Sequence, residues 1–234
     1  MIGAKLRQRL AAGETIFMVN PHHVSSGLVA RLYELGADTV FLDCEHGSAS
    51  FEDVREMARA ARSGGGGAIV RPDSHQRSLI IRYLNCGADG IMVPMVETAD
   101  QARAIVETVR YACPADHEKR LIIAMIETVT AIDNLDDLLK VEGVDVFFIG
   151  PGDLSQSMGH LPTVPEGQER PADVQEKIAG AVKKIRAAGK IAGTLVFEHE
   201  AARWSQAGCT FLYIHSDPFL RDGIRRMREI TMRK

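Results

Sequence analysis

The 234-residue chain reads as an α/β protein, a (β/α)8 barrel preceded by a short helix. Three observations carry that expectation. Short apolar, β-branched runs alternate along the chain with longer segments of helical period, on a repeat of about thirty residues. The runs are continuous in hydrophobicity, as strands buried on both faces of a parallel sheet must be. Four joints share one form, closing a helix at glycine and entering a strand: YELGADTVFLD (33–43), YLNCGADGIMVP (83–94), KVEGVDVFFIGP (140–151) and SQAGCTFLYIHSD (205–217). Glycine at such a joint supplies the left-handed end of the helix.

The elements follow in order. MIGAKLRQRLAAGE (1–14) is a short amphipathic helix without the apolar core of a signal peptide. Strands are expected over 15–20, 39–45, 68–72, 90–95, 121–127, 144–151, 191–196 and 211–217. Helices are expected over 25–35, 50–62, 75–86, 98–111, 131–141, 171–188, 199–207 and 218–232. Eight such units close into a barrel because parallel crossovers are right-handed. An open doubly wound sheet would need a glycine-rich phosphate turn after the first strand, where the chain has VNPHHVSSG. A chain this long buries roughly 70% of its extended surface on folding, so one barrel domain over 1–234 is expected.

Composition narrows the function classes. With 45% hydrophobic and 25% charged residues the chain folds rather than staying disordered, and a net charge of -3 leaves no basic footprint for nucleic acid. No run approaches the roughly eighteen apolar residues of a membrane span. Cys44, Cys86, Cys113 and Cys209 form no CxxC pair, so they read as reduced thiols of a cytoplasmic protein, not as a disulfide frame or zinc site.

In a barrel the chemistry stands at the C-terminal strand ends. Here those ends read Asp43-Cys44-Glu45-His46-Gly47, Val70-Arg71-Pro72, Pro94-Met95, Ile126-Glu127-Thr128 and Gly150-Pro151-Gly152-Asp153-Leu154. Acids, a histidine and an arginine thus share one rim, directly after hydrophobic runs. Glu127 and Asp153 end neighbouring strands, and two oxygen ligands with open positions suit Mg²⁺ or Mn²⁺ rather than zinc. The competing reading is that both cap the turns that follow, and spacing alone leaves the two equal. Arg71 is a partner for a carboxylate or enolate oxygen, or else for Asp43 or Glu45 in a structural ion pair. His46 is a candidate general base. Asp53, Asp73 and Asp217 read as caps or loop residues, His22-His23 as a loop lining the mouth, and Trp204 as packing. Residues 64–67 read as a flexible entry to the third strand, and His215 has no assigned role.

FLDCEHG, VRP, the LxxGAxxxxVPM segment (84–95), IET and FIGPGDLSQSMG, in that order over about 19–196, together resemble the HpcH/HpaI aldolase family of class II pyruvate aldolases. The resemblance implies a (β/α)8 fold, a divalent metal (Mg²⁺, Mn²⁺ or Co²⁺) and cleavage of a 4-hydroxy-2-oxo acid to pyruvate and an aldehyde. It also implies a homo-oligomer, trimer or hexamer, with the last helix docked on a neighbour. Glu127 and Asp153 match the family's metal ligands, and Arg71 the arginine on the keto or enolate oxygen. His46 matches the base that works through a water on the metal, Asp43 and Glu45 the acids around that water. The backbone of Gly152 and Asp153 matches the carboxylate-binding amides. Two positions depart from the pattern. Asn85 stands where the family has an aspartate paired with the histidine, so Asn85 is expected to accept a hydrogen bond from His46 without adding charge. The stretch ACPADHEKR (112–120) is short and lacks a Gly-x-Arg-Gly motif, which implies a more open mouth. These departures keep two further readings in play: an enolate enzyme acting on oxaloacetate or an acyl donor, decarboxylase or citrate-synthase-like, and a member that binds 2-oxo acids without turnover.

Overall fold

A computed structural model describes residues 2–165 and 167–232. Eight parallel strands close in sequence order: β1 (Ile16–Asn20), β2 (Thr39–Asp43), β3 (Ala68–Arg71), β4 (Gly90–Val93), β5 (Leu121–Ile126), β6 (Val146–Ile149), β7 (Ile191–Leu195) and β8 (Cys209–His215), with β8 pairing back onto β1. The helices are α1 (Ile2–Ala11), α2 (Ser26–Glu34), α3 (Phe51–Ser63), α4 (Arg77–Cys86), α5 (Ala99–Ala112), α6 (Val129–Asp133), α7 (Leu135–Leu138), α8 (Pro151–Ser157), α9 (Ala172–Ala187), α10 (Glu198–Ala207) and α11 (Ser216–Met232). The (β/α)8 barrel with an extra N-terminal helix is therefore the observed architecture.

Local chemistry sets the boundaries. Ser50 and Asp53 form a capping box at the start of α3, as do Thr98 and Gln101 at α5, each satisfying backbone donors that the first helical turn leaves open. The glycines of the four repeated joints, Gly36, Gly87, Gly143 and Gly208, all have φ near +100°, a conformation that costs glycine no Cβ clash. Inward-facing Ile16, Met18, Phe41, Ile69, Met92, Ile123, Phe148 and Phe211 fill the barrel. Ile2, Leu6 and Leu10 of α1 join them and close its N-terminal face. A second apolar layer, Trp204 among it, lies between the strands and the surrounding helices.

Several expected ends shift. β2 stops at Asp43 and β6 at Ile149, because Pro151 opens the unanticipated helix α8; proline at the first helical position gives up a donor that has no partner there. β8 spans Cys209–His215, two residues earlier than expected, and Asp217 falls in α11. The helix expected over 131–141 is two short helices broken at Asn134, whose side chain donates to the Glu97 carbonyl. The segment 112–120 leads from α5 into the N-terminal end of β5, beside α1; Arg7 donates to the Arg120 carbonyl there at 2.6 Å. Its brevity therefore does not open the mouth of this chain, which lies at the other end of the barrel. All four cysteines are free thiols, three buried and Cys44 half-buried.

Beyond its first turn, which Ser216 and Asp217 tie to the loop after β1, α11 leaves its apolar side uncovered. Among its described side chains only Ser216 is buried, while Phe219, Leu220, Ile224, Met227 and Ile230 are exposed, and Phe17 on the outer face of β1 is also uncovered. Among the described residues no helix is long and apolar enough to cross a membrane.

Candidate active site

Inward positions recur every second residue along a strand, and the barrel uses apolar residues for them until the C-terminal layer. There the lining turns polar: Asn20 on β1, Asp43 on β2, Arg71 on β3, Glu127 one residue past β5, and Tyr213 and His215 on β8. Asn20 lies in register with His215, and Asp43 with Arg71.

Arg71 is buried, and both acids that the sequence offered as partners take it. Its Nε and Nη2 reach the two Asp43 oxygens at 2.9 and 2.7 Å, and Nη1 lies 3.0 Å from Glu45 Oε2. Burial alone would raise the Asp43 carboxyl, but the guanidinium overrides it and holds it below the usual range. For Glu45 the balance falls the other way: burial raises it against the opposing pull of Arg71. Asp43 Oδ1 also accepts the backbone N–H groups of Glu45 and His46 at 3.1 and 3.2 Å, which fixes the turn after β2. The turn needs glycine next, since a Cβ on Gly47 would stand 2.1 Å from the Asp43 carbonyl. His46 is exposed on the rim, its Nε2 3.9 Å from Glu45 Oε2.

Glu127 is 1% exposed. Its Oε1 accepts the Met95 N–H at 2.7 Å, and Met95 adopts a left-handed φ of 54° at this point. Its Oε2 is buried with no hydrogen-bond partner. Burial pushes the carboxyl up to about 7, with Asp153 and Glu45 adding to the rise and the Met95 N–H and Arg71 opposing it. The position is built around that side chain: a Cβ on Gly150 would approach Glu127 Oε2 to 2.5 Å. The capping alternative fails for both acids. Thr128 caps α6, and Asp153 stands in the first turn of α8 without a side-chain cap hydrogen bond.

An orphaned buried carboxylate oxygen calls for a partner. Among the described residues no group of three or more His, Cys, Asp and Glu gathers into a metal cage. The acids that could hold a cation here are two carboxylates, Glu127 and Asp153. They fit a hard divalent cation that completes its shell with water and substrate oxygens.

Asn85 is not brought to this site. It is exposed near the C-terminal end of α4, two residues before Gly87. α4 runs antiparallel to the strands, so the residues before its glycine joint arrive at the face opposite the mouth. The expected pairing of Asn85 with His46 does not occur within one chain.

A polar chain that the sequence reading did not assemble completes the rim. The Asn20 Nδ2 group donates to the Tyr213 hydroxyl at 2.6 Å, which lies 3.3 Å from His215 Nδ1. Asn20 Oδ1 accepts the His22 N–H at 2.8 Å, and His22 Nδ1 meets Asp217 Oδ2 at 3.0 Å. The His22 ring packs edge-on against His215, centroids 4.4 Å apart. Burial, with His22 adding to it, pushes His215 down to about 4. The signal was present in the period of two: 16, 18, 20 and 211, 213, 215 are the inward series of adjacent strands.

A closed barrel whose apolar interior ends in one layer of acids, arginine and histidines belongs to the TIM-barrel enzymes that work at the strand ends. The chain is a member of the HpcH/HpaI aldolase/citrate lyase family, whose model matches residues 22–211. It is accordingly an enzyme of the aldolase and lyase type acting on small 2-oxo acids. It is 31% identical to a 2-keto-3-deoxy-L-rhamnonate aldolase of Escherichia coli O17:K52:H18 (strain UMN026 / ExPEC), over 92% of this chain and 87% of that enzyme. Among solved structures it is similar to an HpcH/HpaI aldolase/citrate lyase family protein from Burkholderia cenocepacia J2315, with 25% identity, 97% and 99% of the two chains covered and a TM-score of 0.86. It is also similar to the citrate synthase SbnG, with 26% identity, 99% and 96% covered and a TM-score of 0.83.

Proposed function

We propose that this enzyme cleaves a 4-hydroxy-2-oxo acid to pyruvate and an aldehyde, and runs the reverse addition. The observation that carries the reading is the buried, partnerless Oε2 of Glu127, on the same rim as Asp153 and the buried guanidinium of Arg71.

Each residue takes a role its position permits. Gly152 and Asp153 stand in the first turn of α8, where backbone N–H groups have no helical acceptor and can hold the substrate carboxylate. Arg71, fixed by Asp43 and Glu45, offers its remaining N–H groups to the keto oxygen and to the enolate that follows. His46 takes the proton of the 4-hydroxyl. The C3–C4 bond then breaks, C4 leaves as the aldehyde carbonyl, and the bond pair passes into the pyruvate enolate. Protonation at C3 gives the methyl group of pyruvate. A divalent cation held by Glu127 and Asp153 (Mg²⁺, Mn²⁺ or Co²⁺) would supply Lewis-acid stabilisation of the enolate charge.

The likeness to a 2-keto-3-deoxy-L-rhamnonate aldolase supports a sugar-acid substrate. The likeness to the citrate synthase SbnG favours a second reading, in which the same enolate chemistry serves another oxo acid such as oxaloacetate. The exposed apolar side of α11 and the uncovered Phe17 support a homo-oligomer, trimer or hexamer, in which a neighbouring copy covers both.

Enolate formation is tested without choosing an acceptor. By NMR, the pyruvate methyl protons should exchange with deuterium only when Mg²⁺ or Mn²⁺ is supplied after chelation. Glu127→Gln should slow exchange on the order of 100-fold or more. Exchange that survives chelator, or an unaffected variant, rejects the reading. Decarboxylation of oxaloacetate with no cleavage of any hydroxy-oxo acid would transfer support to the second one.

A further inference from the structure

Between the ends of β1 and β2 the mouth opens into a side pocket of about 280 Å³, lined by Asn20, His22, His23, Asp43, His46 and Ser48 among others. Resting on the aldolase reading above, we propose that this pocket is the subsite for the aldehyde half of the substrate. It takes a short hydroxylated aldehyde in preference to an alkyl one, and His22 sets that preference.

The argument begins with His46. The enolate half belongs beside Arg71, Glu127 and Asp153, and the base must reach the 4-hydroxyl, so whatever extends beyond C4 lies on the His46 side. The pocket on that side has His46, His22 and Asp43 in its wall together. Its lining is mixed, with Pro21, Val24, Phe41, Leu42, Ala49 and Met57 beside the imidazoles, so the preference rests on the His22 end, where an alkyl tail would strip water from the ring nitrogen without replacing its hydrogen bond.

His22 is held for this position from three directions. Its N–H is tied to Asn20 Oδ1 at 2.8 Å, its Nδ1 to Asp217 at 3.0 Å, and its ring rests edge-on against His215. Its backbone is left-handed, with φ of 59° in a non-glycine residue, so the Asn20 and Asp217 ties hold a conformation that the chain would otherwise avoid. With Nδ1 directed at Asp217, Nε2 is the nitrogen left for a ligand, and it has no hydrogen-bond partner among the described residues. Behind it the chain Asn20–Tyr213–His215 is already satisfied: the Tyr213 hydroxyl accepts from Asn20 and shares a hydrogen bond with His215 Nδ1. That rigid backing lets His22 discriminate by a fixed hydrogen bond rather than adapt to either tail.

The test compares glycolaldehyde and propanal, equal in heavy atoms, as acceptors for pyruvate in the presence of Mg²⁺, together with pyruvate methyl exchange in the absence of aldehyde. His22→Gly removes the ring at a φ that suits glycine, so the loop is kept. It should lower the glycolaldehyde-to-propanal ratio of kcat/KM roughly tenfold. Methyl exchange, a half-reaction with no aldehyde in it, should persist. His22→Asn, which tolerates the left-handed backbone and restores a polar end, should recover part of the ratio. A ratio unchanged within about twofold in His22→Gly, with exchange intact, overturns this inference alone. Absence of metal-dependent exchange in the unaltered enzyme overturns the aldolase reading and this inference with it.

Discussion

On the β5–β6 side of the mouth, Glu127 keeps a buried oxygen with no partner, and Asp153 beside it makes no side-chain cap hydrogen bond. On the β8–β1 side, Asn20, Tyr213 and His215 form a continuous hydrogen-bonded chain that extends through His22 to Asp217. Arg71 stands between the two sides, paired with both Asp43 and Glu45. The difference teaches how one barrel divides a reaction. On the proposed reading the incomplete side is the one that a cation completes, where negative charge develops. The completed side is pre-organised and uncharged at His215, and suits recognition of a neutral group by hydrogen bonds.

The incomplete side breaks first by crowding. Gly150 has a φ of -83°, which alanine adopts freely, so Gly150→Ala introduces no backbone strain. The added methyl would meet Glu127 Oε2 at 2.5 Å and its Cβ at 2.9 Å. The carboxylate must move, and with it one of the two proposed protein ligands. Divalent-ion affinity by calorimetry should fall on the order of 10- to 100-fold, the range seen when a metal ligand is displaced by its surroundings. Unchanged affinity would show that Glu127 does not hold the ion from this position.

The completed side is tested by acid. His215, facing His22, Tyr213, Asp217, Asp43 and Arg71, titrates near 4 against an ordinary value of 6.5. Between those values the unfolded chain binds the proton and the folded chain does not. Its contribution to stability is therefore complete above about pH 6.5 and is lost as pH falls toward 4. Partial exposure reduces the effect to on the order of 1–2 kcal/mol. His215→Asn should flatten urea-denaturation stability across that window relative to the unaltered chain. An equal slope in both would mean that the ring is not held neutral by its surroundings.

How much of this was legible beforehand follows from the kind of signal each feature leaves. The barrel was readable because hydrophobic period and the glycine joints are local. Arg71, Glu127 and Asp153 were readable because strand ends are predictable once the barrel is. Which acid pairs with Arg71 was not, since Asp43 and Glu45 are both near in sequence, and only the strand register decides that both do. The orphaned Glu127 oxygen depends on Gly150 and on the left-handed Met95, two backbone details beyond any periodicity. The Asn20–Tyr213 bond joins residues 193 positions apart. It follows only from knowing that the first and last strands are neighbours and which of their faces turns inward.

Asn85 gives the smallest expected effect and the sharpest check on that limit. A reading by motif sets it beside His46, where a negative charge would strengthen the base. The fold instead leaves it exposed at the end of α4, across the barrel from the rim. An exposed charge there, at the opposite end of the barrel, is screened by solvent and transmits little to His46. Asn85→Asp should therefore alter aldol turnover by less than about twofold, with stability changed within about 0.5 kcal/mol as for most surface substitutions. The measurement is steady-state turnover at several enzyme concentrations. A gain larger than twofold that grows with concentration would mean that α4 of a second copy reaches the mouth, and that the histidine's partner is supplied by assembly rather than by the chain itself.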